Sequence, residues 1–440
     1  MKDHLANAAW GVLDYAAYPV GMLLVAPIIL HNMGAAQYGV WSVATAVVSM
    51  GSIIAAGFGD ANIQHVASHR GSGQSDLVLR TVRCMISINL VLGTVLACIA
   101  WACAPYAALH IASSSSVIQR DCLWSLHLAA ILIWLRTMES VCISTQRAFA
   151  RYGAAVRISL IARLLSLAAA AVLTYRTRNV AAMLAAAVVV NVPGVWLQFA
   201  KLRSLLHAES LRPMLDRGMM KALLGFGLFS WLQAVSGIIF GQADRLFLGI
   251  SSGAITVALY ALCTQIAQPA YGIVASGLHF VFPHLAEYRV SCTASELRRR
   301  VLTAFAGNLL LVTATSVALA MLGESLLHAW LGKEVIASAS RVLLPVIVGS
   351  ALLGMNVTAT YALFALGHVR VVTWVNLAGG AVMLGLMAYL TPRMGAYGLA
   401  MARLSYGAIT LLLYWPLMRS LRHVPRVSSG VVIQAAWEEL

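Results

Sequence analysis

The feature that most constrains this chain is a succession of apolar runs, each about twenty residues long. A bilayer core of about 30 Å is crossed by about 20 helical residues at ~1.5 Å per residue. In lipid the backbone must satisfy its own hydrogen bonds, so such runs are predicted to be transmembrane helices. Twelve are predicted: 10–30, 39–59, 84–104, 122–145, 156–174, 180–200, 222–243, 254–282, 301–322, 342–367, 371–391 and 397–416.

Composition excludes the main alternatives to a membrane protein. Apolar and aromatic residues make up 60% of the 440 residues and charged residues only 10%, whereas a soluble domain carries about 25% charged residues. Disorder requires low hydrophobicity, and seven cysteines are too few for a disulfide scaffold. The net charge of +15 is attributed to basic cytoplasmic loops rather than to nucleic-acid binding. The cysteines lie mostly in apolar stretches and are interpreted as small hydrophobic residues, so no metal is expected, and no cofactor is expected either.

The distribution of Lys and Arg between the spans predicts the orientation of the chain. With the N-terminus inside, 20 of these residues fall in cytoplasmic segments and 7 in outside segments. This bias predicts that both termini are cytoplasmic. The longest cytoplasmic loops, about 60–83 and 201–221, are too short to hold a soluble domain, so the activity is expected within the membrane thickness.

An internal repeat divides the chain near its middle. When Gly34 is placed on Gly253, the segment 34–82 aligns with 253–301 without a gap. Six spans return the chain to its starting side, so the two halves are predicted to run parallel around an axis along the membrane normal.

The repeat predicts an all-α, polytopic membrane protein with two six-helix lobes. The N-terminal lobe with its cytoplasmic linker is 1–221, and the C-terminal lobe with its cytoplasmic tail is 222–440. Parallel repeats of this kind are typical of transporters, whose site lies between the halves. We therefore expect a central cavity and alternating access.

Charged residues within the spans are candidate functional residues, because a charge at bilayer depth costs at least ~2.5–3.5 kcal/mol. They are Asp14, Arg136, Glu139, Arg163 and Arg403. Arg136 and Glu139 are three residues apart and therefore share one helical face. Two interpretations are open: a structural pair that neutralises its own charge, or an arginine that faces the cavity and whose charge is moderated by the glutamate. Arg163 and Arg403 either snorkel toward the membrane surface or line the cavity. Asp244 is expected at a span end, where hydration is cheap.

Asp14 is a candidate for coupling transport to a proton gradient. Pro19, Gly21 and Pro27 follow it in the first span and allow that helix to bend. A carboxylate there either takes up a proton as the cavity closes or simply lies in the interfacial layer. Its counterpart in the repeat is Gln233, which is polar but does not titrate.

Several segments carry a family resemblance. They are LHNMGAAQYGVWSV (30–43), GFGDANIQHVASHR (57–70), QADRLFLGISSGAITVALYALCTQIAQP (242–269), VFPHLAE (281–287) and AWLGKE (329–334). Together they resemble the oligosaccharide flippases of the multidrug/oligosaccharidyl-lipid/polysaccharide exporter superfamily, the O-antigen type in particular. The third segment is the most specific, and the first lacks the Leu that usually precedes the position of Gly34.

The resemblance implies a flippase rather than an enzyme, in the bacterial inner membrane. It implies a substrate, undecaprenyl-pyrophosphate-linked oligosaccharide, carried from the cytoplasmic to the periplasmic leaflet for O-antigen, exopolysaccharide or capsule synthesis. Membrane lipids, a polysaccharide polymerase and a chain-length regulator are the other expected partners. Arginine stays charged at depth and its planar guanidinium donates hydrogen bonds to phosphate oxygens, so the expected headgroup ligands are Arg136, Arg163 and Arg403. The residues expected to modulate headgroup binding or to couple transport to an ion gradient are Asp14, Glu139 and Gln233.

Three alternatives remain open. A cation-coupled multidrug exporter of the same superfamily should have an acidic cavity, but arginines outnumber carboxylates among the intramembrane charges. A membrane glycan polymerase or ligase needs a substantial periplasmic loop, whereas the longest outside segments here are 105–121 and 323–341. A cell-division or lipid II flippase usually has two further spans, for which the polar tail is expected to leave no room.

Overall fold

The computed structural model describes residues 2–112, 115–149, 151–277, 294–330, 333–366 and 368–422, and these ranges contain helices but no strand. The helices are α1 (Lys2–Ala56), α2 (Gly59–Gly71), α3 (Ser75–Ile111), α4 (Ser116–Ala148), α5 (Tyr152–Arg176), α6 (Val180–Leu205), α7 (Arg217–Gly277), α8 (Ala294–Trp330), α9 (Lys333–Ala365), α10 (Val369–Thr410) and α11 (Tyr414–Arg422), with a 3₁₀ turn at Leu411–Leu413.

Long apolar helices dominate these ranges, which confirms the all-α, polytopic prediction. Nine stretches of the described residues are long and apolar enough to cross a membrane. The number is below twelve because α1, α7 and α10 each join two predicted spans through one bent residue. The bends are at Gly34, Gly253 and Gly395, which have φ of 82°, 79° and 58°.

The repeat is visible in backbone geometry. Gly34 has φ 82° and ψ 170°, and its repeat counterpart Gly253 has φ 79° and ψ 173°. Only glycine occupies this region without strain, so both positions require it. In the same register, the bounds of α8, Ala294–Trp330, align with those of α3, Ser75–Ile111. The two halves therefore share a hinge and a helix of equal length at the same places.

The chain divides into two compact units, Met1–Leu262 and Cys263–Leu440. In the first unit, small residues let helices approach closely, as is usual in membranes. A Cβ added at Gly51 of α1 would lie 2.6 Å from Cγ1 of Ile133 on α4. The division into units falls within α7, and the predicted lobe boundary between 221 and 222 stays a prediction.

The second unit repeats this close packing. A Cβ at Gly354 of α9 would lie 3.1 Å from Cγ2 of Val312 on α8. A Cβ at Gly407 of α10 would lie 2.7 Å from Cβ of Leu352 on α9. Its apolar core includes Leu297, Val301, Ala359, Ala362, Leu363, Val372, Leu413 and Leu417.

Candidate polar site in the first unit

Arg136 and Glu139 form an ion pair within α4. Nη1 of Arg136 donates to Oε2 of Glu139 at 2.9 Å, and the two side chains are 16% and 4% exposed. A buried carboxylate is costly unless paired, so the arginine compensates the glutamate. Guanidinium has five N–H donors, and this hydrogen bond uses one of them. The pair can therefore be structural and still leave donors to contact an anion.

Polar side chains continue along α4 toward its C-terminal end. Nδ2 of Asn62 on α2 donates to Oγ of Ser144 at 2.8 Å and to Oγ1 of Thr145 at 2.9 Å. Nε2 of Gln146 donates to Oε1 of Gln198 on α6 at 2.7 Å. All five residues are buried. These hydrogen bonds fix α2 and α6 against the polar half of α4.

Asn308 links α8 to α9 in the second unit. Its side chain is 1% exposed. Nδ2 lies 3.0 Å from the carbonyl oxygen of Gly354, 3.1 Å from that of Met355 and 2.8 Å from Oγ1 of Thr358. An interhelical amide bonded in this way is a structural link within lipid.

Asn89 on α3 is the counterpart of Asn308 in the repeat, and sequence analysis missed it. It is fully buried, yet within the described part of the chain neither Oδ1 nor Nδ2 makes a hydrogen bond. Burying an amide without partners costs roughly 1–3 kcal/mol. An asparagine within the span 84–104 was the available sequence signal, and extending the repeat to Asn308 would have strengthened it.

The alignment of α3 with α4, compared with that of α8 with α9, explains why Asn89 lacks the hydrogen bonds that Asn308 makes. Gly93 faces Thr137 in the first unit just as Val312 faces Gly354 in the second. The position that Thr358 holds in α9 is therefore held in α4 by Val141, which has no hydroxyl.

The carbonyl that corresponds to that of Gly354 is also occupied. Thr137 supplies it, and Oγ of Ser140 donates to it at 2.8 Å. Asn89 therefore lies at about the same depth as Arg136 and Glu139, with both of its polar atoms available. It packs on the face of α4 that carries Thr137, whereas at about 100° per residue Arg136 and Glu139 are directed to the other side of that helix.

Arg163 lies on α5 in the same unit and is partly buried. Leu167, one turn later on the same face, lies 2.8 Å from the position of a Cβ at Gly21 of α1. The neighbouring Ile161 and Leu164 are exposed. Arg163 thus lies on the face of α5 directed toward α1, away from these exposed apolar neighbours.

Arg403 lies in the second unit, on the second arm of α10, and is also partly buried. Its Cγ is 3.9 Å from the position of a Cβ at Gly349, so its aliphatic stem packs on α9. Of the predicted site residues whose side chains the structure describes, only Arg136 and Glu139 are brought together. Asp14 and Gln233 lie in α1 and α7, but their side chains fall outside the described part, and their coupling role stays a prediction.

The expectation that Asp244 is hydrated at a span end is wrong. It is 1% exposed within α7. The hydroxyl of Tyr260 donates to its Oδ2 at 2.8 Å, and the backbone N–H of Arg245 donates to its Oδ1 at 2.8 Å. Because Asp244 and Tyr260 lie on opposite arms of the bend at Gly253, this hydrogen bond closes the bend. Both residues belong to the segment 242–269 that carries the most specific resemblance.

The described residues form no candidate metal site. Among the residues that the structure describes, no three His, Cys, Asp or Glu side chains lie close enough together to hold a metal ion.

Solved structures with the same fold are membrane transporters. The chain is similar to an inward-facing multidrug resistance transporter of the MATE family in the MOP superfamily (14% identity, 95% of this chain and 100% of that chain, TM-score 0.72). It is similar to the lipid II flippase MurJ in an inward closed conformation (12% identity, 94% and 88%, TM-score 0.74). It is also similar to the Vibrio cholerae MATE transporter VcmN in a bent form (15% identity, 96% and 98%, TM-score 0.59).

Sequence comparison identifies the family. No curated protein gives a significant match. The family model described as polysaccharide biosynthesis protein matches residues 33–340, which is more than half of the chain. The protein is therefore a polytopic membrane protein with a transporter fold, and it belongs to the polysaccharide biosynthesis protein family.

Proposed function

We propose that the protein is a flippase for undecaprenyl-pyrophosphate-linked oligosaccharide, carrying it from the cytoplasmic to the periplasmic leaflet of the bacterial inner membrane by alternating access. Family membership supports a role in polysaccharide synthesis, and the fold shared with a lipid II flippase supports a lipid-linked substrate. In this proposal both termini are cytoplasmic. No bond is made or broken, so the protein is not an enzyme.

The observation that carries the proposal is the partly buried Arg136 guanidinium on α4. A pyrophosphate carries about two negative charges and cannot cross hydrocarbon unaided, so its carrier needs a cation at depth that stays charged. Glu139 holds Arg136 in place and moderates its charge, which favours binding weak enough for release.

Asn89 offers a neutral contact at a similar depth, on the other side of α4 from Arg136. Its buried amide has one acceptor and two hydrogens that are not used by the described protein. Phosphate oxygens or sugar hydroxyls can use both. We propose that Asn89, Arg163 and Arg403 contact the headgroup at stages of the cycle other than the one in which Arg136 holds it.

The runner-up is a cation-coupled multidrug exporter, which the fold shared with MATE transporters favours. The two functions require cavities of opposite charge. Among the charges predicted within the spans, arginines outnumber carboxylates, which favours an anionic headgroup over a cationic drug. The arginines are Arg136, Arg163 and Arg403, and the carboxylates are Asp14 and Glu139. A membrane glycan polymerase or ligase is less well supported, since the similar solved structures are transporters.

The test is complementation of a deletion strain, measured as lipid-linked oligosaccharide on each leaflet. Deletion should leave the glycan on the cytoplasmic leaflet, and Arg136→Ala and Arg163→Ala should fail to restore transfer. Matched controls are Arg120→Ala near the N-terminal end of α4 and Arg176→Ala in the last turn of α5, because both arginines are exposed. The controls should complement normally.

A second pair of variants separates folding from function. Arg136→Ala leaves Glu139 buried and uncompensated, so it can fail through misfolding alone. The double variant Arg136→Gln with Glu139→Gln removes both charges and should insert normally while transferring nothing. Full activity of that double variant would place the headgroup elsewhere, and export of cationic dyes without glycan transfer would favour the multidrug reading.

A further inference from the structure

A groove of about 600 Å³ runs along the C-terminal end of α6 in the first unit. It is lined by Trp196, Phe199, Ala200, Arg203, Ser204, His207, Ala208 and Leu211. From Trp196 to Ser204 these residues recur every three or four positions, so they form one helical face. This groove is separate from the polar site on α4.

The end of α6 is shaped to present basic side chains to this groove. His207 has φ 48°, a left-handed conformation usually taken by glycine at this position. The N–H of Ala208 donates to the carbonyl of Arg203 at 3.2 Å, and the N–H of His207 donates to that of Ser204 at 3.3 Å. Nε of Arg203 then donates to the carbonyl of Ala208 at 3.2 Å, which orients the guanidinium.

The second wall of the groove is held in place by α3. The segment after α6 returns across the helix end, and Nε of Arg83 donates to the carbonyl of Arg212 at 2.8 Å. Oγ of Ser87 donates to the carbonyl of Met214 at 2.8 Å. Leu211 precedes these fixed carbonyls, so the groove exists before any ligand binds.

Polarity changes along the groove in the direction of the α6 axis. Trp196 is 69% exposed on a helix long and apolar enough to span the membrane, so lipid covers it. His207 lies eleven residues later, about 16 Å further along at ~1.5 Å per residue. An apolar aromatic end is thus followed by a cationic end, which is the polarity of a lipid molecule.

We propose that this groove binds one anionic phospholipid. Its phosphate contacts Arg203, Ser204 and His207, and its acyl chains cover Phe199 and Trp196. The lipid comes from the bilayer rather than from the transported substrate, because the groove opens on the exposed face of α6. Free phosphate is disfavoured as the occupant, since five of the eight lining residues are apolar and would stay uncovered.

The test is binding of defined lipids to the purified full-length protein, delipidated in a neutral detergent and measured by native mass spectrometry. Phosphatidylglycerol is expected to bind at least tenfold more tightly than phosphatidylcholine. Arg203→Gln should reduce phosphatidylglycerol affinity at least tenfold, and His207→Asn, which tolerates the same backbone conformation, should reduce it measurably. Lys201→Gln removes an exposed charge from the same helix without touching the groove and should change affinity less than threefold.

Four outcomes would overturn the proposal. Equal losses in Lys201→Gln and Arg203→Gln would indicate only general attraction to a basic surface. Equal binding of phosphatidylcholine would remove the role of charge. Competition by millimolar inorganic phosphate would indicate a free-phosphate site, and tighter binding of undecaprenyl phosphate would assign the groove to substrate. None of these measurements depends on transport, so the result stands apart from the proposed flippase activity.

Discussion

Asn308 and Asn89 occupy equivalent positions but should respond oppositely to the same substitution. Asn308→Leu removes an amide whose two Nδ2 hydrogens serve three acceptors on α9 at 2.8–3.1 Å. Interhelical side-chain hydrogen bonds in membranes contribute about 0.6 and at most about 1.7 kcal/mol each. Two such bonds give an expected loss of roughly 1–3 kcal/mol.

Asn89→Leu removes no hydrogen bond within the described residues, and it relieves the burial of an unsatisfied amide. Its stability should be unchanged or raised, by up to roughly 1–2 kcal/mol. Thermal unfolding of both purified variants in one detergent, followed by tryptophan fluorescence, measures the difference. The apparent Tm should fall by several degrees for Asn308→Leu only.

Transport is then measured on the same two variants, to compare their activity with their stability. Asn89→Leu should fold well and transfer little glycan, whereas Asn308→Leu should lose stability but keep activity per folded molecule. If Asn89→Leu lowers the Tm as much as Asn308→Leu does, Asn89 is a structural link and its proposed headgroup contact is refuted.

Three further predictions concern the hinges and the pH response. Gly34→Ala should cost about 1–3 kcal/mol of stability, because a φ of 82° is strained for any residue with a Cβ. The control is Gly307→Ala, at a helical glycine with open space around it, which should cost nothing in the same unfolding assay. Tyr260→Phe should cost about 1–3 kcal/mol by leaving the buried Asp244 carboxylate without its hydroxyl donor, and Tyr260→Leu should cost more. His65 lies on α2, outside the spans, and its pKa is lowered below the ordinary 6.5. Burial is the main cause and the nearby His69 is the second, while a backbone hydrogen bond at Ala222 has a weaker, raising effect. The unfolded chain therefore binds that proton more readily, so the Tm should fall as pH drops below about 6.5, and His65→Gln should flatten this dependence. An unchanged pH profile in that variant would refute the assignment.

Features enforced by lipid were predictable from sequence because they are local. Apolar runs of about twenty residues must become helices when no water is present to bond the backbone. The ion pair of Arg136 with Glu139 was predictable for the same reason, since a spacing of three residues on one helix fixes it. The bend at Gly34 was not predicted, although the repeat already aligned Gly34 with Gly253.

Features that depend on contacts between helices were decided only by tertiary structure. Asp244 at a predicted span end gave no sign that Tyr260, sixteen residues later, would fold back onto it across a glycine bend. Asn89 and Asn308 are the same residue in the same repeat, and only the facing helix makes one bonded and the other not. The groove at the end of α6 exists because the following segment is bonded to α3.

The sequence by itself therefore determined that this chain is helical, repeated and membrane-spanning, because hydrophobicity and backbone hydrogen bonding act within one segment. Tertiary structure decided which polar groups are satisfied and which remain available to a ligand, because that depends on which side chains the neighbouring helix presents at each position.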